Sequence, residues 1–152
     1  MVQCVPYSYV KYENVQSADR VMQLFKQNRP NGTTNLAAVL ADAVKPDTPA
    51  ADGRLFFGRP ETILVITDGV PDNAQAVEEV IINATNQYMR TDNDLSISFI
   101  QIGDDSRADK WLQLLDDELQ GKGAKFDAVD RLTASTMHGL TFEQVIAYSV
   151  TD

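Results

Sequence analysis

The sequence predicts an α/β protein: one domain spanning residues 1–152, built on a mostly parallel sheet with helices on both faces. Three observations predict it. The stretch Glu61–Asn73, ETILVITDGVPDN, opens on a continuous apolar run, Ile63–Ile66, and breaks at Thr67-Asp68-Gly69. A short, largely β-branched run of this kind is the mark of a strand buried on both faces, which in most proteins is a parallel strand. Through the second half of the chain, strand-like runs alternate with segments of helical period, the pattern of a parallel sheet joined by crossover helices. Finally, 152 residues with 43% hydrophobic and 23% charged residues make one globular domain able to bury a sizeable core.

Each element has a local reason. Val2–Val5 and Tyr9–Tyr12 read as two strands, the second edge-like, with Pro6 between them. Ser17 suits a helix N-cap, and Val21, Met22, Leu24 and Phe25 carry helical spacing to about Gln27. Arg29–Leu36 reads as a loop in which Pro, Asn and Gly turn the chain, and a second helix begins near Asn35 or Leu36 and runs through Leu36, Val39, Leu40 and Val44. Pro46–Gly58 reads as a polar surface loop. After the strand at 63–66, Ala74–Met89 is an amphipathic helix with Val77, Val80, Ile81 and Ala84 on one face. Asp92-Asn93-Asp94 turns the chain into a strand over Leu95–Ile102, which ends at Gly103-Asp104-Asp105. Arg107–Leu119 is a helix in which Trp111 is a packing residue and Asp116-Asp117-Glu118 form a solvated face. A turn at Gly121–Gly123, a short strand at Phe126–Val129 and a last helix over Phe142–Val150 complete the order.

Composition narrows the function. Lys+Arg 13 against Asp+Glu 22 leaves a net charge of -9. An acidic chain without a basic run repels phosphate backbones, so nucleic acid is not expected as a partner. The acidity suits a basic protein surface or a divalent cation, and it also promotes solubility. With one cysteine, Cys4, there is no intrachain disulfide and no zinc finger. The single histidine, His138, stands in a loop or helix-end context with nothing nearby to build a catalytic triad. No signal peptide or membrane span is read in the sequence, so a cytoplasmic location and no membrane partner are expected.

The candidate chemistry lies at the end of the opening strand. A carboxylate placed where a parallel strand ends sits at the carboxyl edge of the sheet, where α/β proteins bind ligands. Asp68 is such a carboxylate, with Gly69 permitting a tight turn. Asp68 or Asp72 could equally serve as a turn residue or cap. Thr33 or Thr34 could cap the second helix, or place a hydroxyl across the sheet edge toward Asp68.

Taken together, Gly-Thr-Thr-Asn-Leu at 32–36, Ile-Thr-Asp-Gly-Val-Pro-Asp-Asn at 66–73, Ser-Phe-Ile-Gln-Ile-Gly-Asp-Asp at 98–105 and the closing segment from Asp127 resemble a von Willebrand factor A domain over nearly the whole chain. The resemblance implies a three-layer α/β/α, Rossmann-like, doubly wound sheet with a metal-ion-dependent adhesion site at its carboxyl edge. Three loops build that site in the family: Asp-x-Ser-x-Ser, a Thr and an Asp. Thr34 matches the Thr and Asp68 matches the Asp; both are hard oxygen ligands suited to Mg²⁺ or Mn²⁺. There is no Asp-x-Ser-x-Ser string, and the chain opens where the family's second strand would be. The family's first strand is central, so its loss implies a sheet that closes up, one completed by a partner chain, or an internal start at Met1. With that strand missing, Ile63–Ile66 is expected in the middle of the sheet.

The resemblance thus implies a non-enzymatic protein-interaction module with an incomplete divalent-cation site at Thr34 and Asp68. Its protein partner would supply a carboxylate to the metal shell or pair at an open sheet edge, where self-association is also expected. Two ligands and water imply weak Mg²⁺ or Mn²⁺ binding, or none. One alternative is a metal-free assembly protein of the same fold. The other, a Mg²⁺-dependent phosphoester hydrolase using Asp68, Asp72 and Asp104, lacks a phosphate loop, a basic clamp and a nucleophile elbow.

Overall fold

A computed structural model describes residues 12, 17–27, 35–47, 49–133, 137, 139–141 and 144. It is a mixed α/β structure: α1 (Ala18–Gln27), α2 (Leu36–Ala43), β1 (Glu61–Thr67), α3 (Ala74–Gln87), β2 (Leu95–Gln101), α4 (Ser106–Glu118) and β3 (Val129–Leu132), with a 3₁₀ turn at Asp92–Asp94 before β2. The expected strands at 2–5 and 9–12 and the helix at 142–150 lie outside the described residues, save Tyr12 and Gln144.

The sheet is parallel and its strands follow sequence order, β1-β2-β3. Glu61 pairs with Leu95 through to Thr67 with Gln101, and Ile97 pairs with Val129 through to Ile100 with Leu132. This register sorts the side chains, because successive residues of a strand point to opposite faces. One face carries Ile63, Val65, Ile97, Phe99 and Val129, all in the main apolar core with Val77, Ile81 and Ala84 of α3, Trp111, Leu112 and Leu115 of α4, and Leu40 and Val44 at α2. Phe99 and Trp111 meet edge to face, ring centroids 5.8 Å apart, so Trp111 is a packing residue. The other face carries Leu64, Ile66, Ser98, Ile100 and Leu132, none of which joins that core. Among the described residues, the helices with assigned core contacts therefore form one layer on one face of the sheet.

The helices begin where side chains meet their free N–H groups. Ser17 Oγ accepts from Arg20 N at 3.2 Å ahead of α1. Asn35 Oδ1 accepts from Ala38 N at 3.3 Å, so Asn35 caps α2, displacing Thr33 and Thr34 from that role. Asn73 Oδ1 accepts from Ala76 N at 3.0 Å and caps α3. Thr91 and Asp94 close a reciprocal capping box around the turn into β2.

Four expectations are corrected. Ile63–Ile66 is not buried on both faces: Ile66 of β1 is 55% exposed, and it is β2 that is buried on both faces. Among the described residues β1 pairs with β2 alone, and the strands expected ahead of it at 2–5 and 9–12, which decide its place in the sheet, lie outside those residues save Tyr12. The loop at 46–58 is not purely a surface element, because Phe57 is fully buried in the core. Arg90 holds it there, donating from Nη2 to the Phe57 carbonyl at 3.2 Å while its guanidinium lies 5.3 Å from the Phe56 ring centre. The last described strand begins at Val129 and not at Phe126. Asp116 is half-buried and not part of a solvated face, although Asp117 and Glu118 are exposed.

Candidate functional site

Two ends of the sheet gather polar side chains. The carboxyl end is built by the exits of β1 and β2. β1 ends at Thr67, whose Oγ1 donates to the Gly69 carbonyl at 3.0 Å and lies 3.4 Å from Gly69 N, folding the chain back on itself. Gly69 is not in the left-handed region, and a Cβ added there would meet nothing within 4 Å, so the Thr67 side chain and not glycine freedom shapes this turn. Asp68 is thereby left exposed at the strand tip, with Val70 exposed, Pro71 buried and Asp72 exposed beyond it. β2 leaves beside it: Ile102 N donates to the Thr67 carbonyl at 2.8 Å, so the two exits run side by side for one residue past the paired strands. Gly103 then turns with φ of 86°, a conformation that does favour glycine.

Of the acids at this edge, Asp105 is committed to structure. It caps α4, accepting from Arg107 N at 2.8 Å, and its carboxylate pairs with the Arg107 guanidinium at 3.0 Å. These hydrogen bonds hold its carboxyl below the usual carboxylate range. Gln101, buried, fastens the same loop by donating to the Asp105 carbonyl at 3.0 Å. Asp68, Asp72 and Asp104 are exposed, and among the described residues none of them takes part in an ion pair. The structure therefore places Asp68 at the carboxyl edge as expected, with Asp104 on the neighbouring exit. Thr34 lies outside the described residues, as do Cys4 and His138. Among the described residues, no three His, Cys, Asp or Glu side chains group so that they could hold a metal ion.

The opposite, amino end holds an acidic region that sequence reasoning missed. A cavity of about 620 Å³ is lined there by Glu61, Thr62, Asp92, Ser96, Asp127 and Asp130, with Pro60, Asn93, Leu95 and Ala128. Ser96 Oγ donates to Asp130 Oδ2 at 3.3 Å. Nearby, Asp116 of α4 is pushed up to about 6, by burial first and then by the charges of Asp117, Asp130 and Asp127, against the opposing pull of Arg131. Burial likewise raises Asp127, with Asp92 and Asp117 adding to it. Arg131 answers this charge: its Nη1 lies 2.6 Å from Asp109 Oδ1 and its Nε 3.7 Å from Asp116 Oδ2. The signal for Asp116 was present in the sequence, since it stands four residues after Leu112 and eight after Ala108, on the buried stripe of α4.

Comparison with protein-family models, with curated proteins and with solved structures returned no match.

Proposed function

We propose that this chain is a non-enzymatic protein-interaction module of von Willebrand factor A type, whose carboxyl edge retains an incomplete divalent-cation site at Asp68 and Thr34. The observation that carries the reading is the placement of Asp68: an exposed carboxylate at the tip of a parallel strand, beside the exit of the next parallel strand. Ligands of open α/β sheets bind at this edge. The sequential parallel order β1-β2-β3 supports the same reading, since half of a doubly wound sheet is laid down in this way. An oxygen ligand at such an edge suits Mg²⁺ or Mn²⁺, completed by water and by a partner's carboxylate.

Affinity for a hard cation grows with the number of charged ligands and the rigidity of the site. One carboxylate and one hydroxyl imply weak binding, in the range calorimetry reads only at high metal concentration. The test is a titration of the full chain with MgCl₂ and with MnCl₂, repeated on Asp68→Ala. Saturable heat that disappears in the variant is expected. No heat, or equal heat from both proteins, refutes the cation site.

A further inference from the structure

We propose that the carboxyl edge formed by Ile66, Val70 and Ile102 with Asp68, Asp72 and Asp104 docks a protein segment that presents lysine or arginine beside apolar side chains, without a metal ion. The proposal rests on the reading of this chain as an interaction module but not on its cation site.

Single exposed apolar residues are ordinary on protein surfaces, so their position decides what they mean. Among the described residues, the large hydrophobics exposed most are Tyr12, Ile66, Val70, Ile102 and Leu114. Three of those five stand at one end of one sheet. Ile66 and Ile102 are each 55% exposed and Val70 is 40% exposed. The register brings the first two together: Ile66 lies opposite Ile100, and Ile102 follows two residues later, its N–H bonded to the Thr67 carbonyl. By alternation both belong to the sheet face that does not carry the main core. Further in on the same face Ser98 and Ile100 are buried, so the exposed apolar surface is confined to the sheet end at Ile66, Val70 and Ile102.

The charge around this surface selects its occupant. Among the described residues at this edge, Asp68, Asp72, Asp104 and Asp105 bring four carboxylates, and Arg107, paired with Asp105, cancels one, which leaves three negative charges. A second copy of this chain fits poorly, because a two-fold contact would set Asp68, Asp72 and Asp104 against themselves on chains that each carry -9. Phosphate backbones and anionic lipid surfaces meet the same repulsion. A cationic segment with apolar side chains satisfies both halves of the surface: the isoleucines lose water on contact, and the acids steer and orient the partner.

The test uses the full chain and a short fluorescein-labelled peptide of alternating leucine and lysine, followed by fluorescence anisotropy in EDTA. A peptide of alternating leucine and glutamate is titrated in parallel, with and without MgCl₂. The variants are Ile66→Ser with Ile102→Ser, and Asp68→Asn with Asp104→Asn, all at exposed positions, each checked for an unchanged melting temperature. Saturable binding of the lysine peptide in EDTA is expected, weakened about tenfold or more by either pair of substitutions. Equal binding by the serine variant would mean adsorption to an acidic protein and would overturn the docking surface. Binding of the glutamate peptide only with Mg²⁺, and only with Asp68 present, would overturn this proposal while keeping the cation-dependent module. Binding of neither peptide would overturn both. Concentration-dependent self-association that vanishes in the serine variant would assign the surface to a second copy and overturn the proposal as well.

Discussion

Replacing Asp116 with asparagine should make this protein more stable at neutral pH. The carboxyl is lifted from its ordinary 3.8 to about 6 by burial and by the charges of Asp117, Asp130 and Asp127. That difference corresponds to about 3 kcal/mol of discrimination against the charged form, from about 1.4 kcal/mol per pH unit. The side chain keeps 32% of its surface exposed, so solvent screening reduces the figure to about 1–2 kcal/mol. The sign follows from proton linkage. Between pH 3.8 and about 6 the folded chain holds a proton at Asp116 that the unfolded chain has lost, so stability falls as pH rises through this window. Above it, the folded state carries the charge at full cost; below it, both states are protonated and the cost is absent. Asparagine removes the charge at every pH. It gives up the contact with Arg131, but that contact is long, at 3.7 Å, and Arg131 keeps Asp109 at 2.6 Å. Urea denaturation of wild type and Asp116→Asn at pH 4, 5.5 and 7 is the assay. The variant should be about 1 kcal/mol more stable at pH 7, with the gap closing toward pH 4. A variant less stable than wild type at pH 7, or a gap that does not change with pH, would refute the reasoning.

Two further outcomes test the packing. Asn73→Ala removes the α3 cap and should cost about 1 kcal/mol in denaturant melts, while Asn73→Asp should restore most of it; equal stability of all three would show that the cap is idle. Phe99→Ala empties a fully buried site against Trp111 and should cost about 3–5 kcal/mol, a large share of the total for a domain of this size; a loss under about 1 kcal/mol would mean that the β2–α4 contact is not central.

What the sequence disclosed depended on how each segment is used. The α3 segment is legible because Val77, Ile81 and Ala84 recur at helical spacing and nothing in tertiary structure overrides it. The β1 segment is legible as a strand, but its apolar run conceals which residues face water: Ile66 is as apolar as its neighbours and yet exposed. The third strand was misplaced because its polar residues, Asp130 and Arg131, hide it, and the apolar Phe126 just ahead resembles a strand start. Ladder bonding begins only where Ile97 N reaches the Ala128 carbonyl at 2.7 Å, while Phe126 packs beneath Lys125 outside the sheet. Phe57 carried no signal at all, being an aromatic in a polar loop without periodicity, fixed by Arg90 from a segment 33 residues away. At the candidate site, the strand-end carboxylate was readable from a strand breaking into Asp-Gly. The apolar surface beside it was not, because alternation within a continuous apolar run leaves no mark until the register is known.

The sheet's order has a consequence for how the chain can vary. Among the described residues each strand pairs with the next in sequence, and the two crossovers are nearly equal in length, since Glu61 meets Leu95 and Ile97 meets Val129. The stretch from Glu61 to Leu132 therefore behaves as a ratchet of two like steps, each closing a loop of similar entropy before the next begins. Among the described residues, segments upstream of Glu61 enter its core through a few apolar positions, chiefly Leu40, Val44 and Phe57. Among the described residues, an insertion in the exposed stretch 50–54 can lengthen the chain without shifting β1, β2 or β3 against one another, whereas one residue added inside α2, α3 or α4 would turn the face that helix presents to the core.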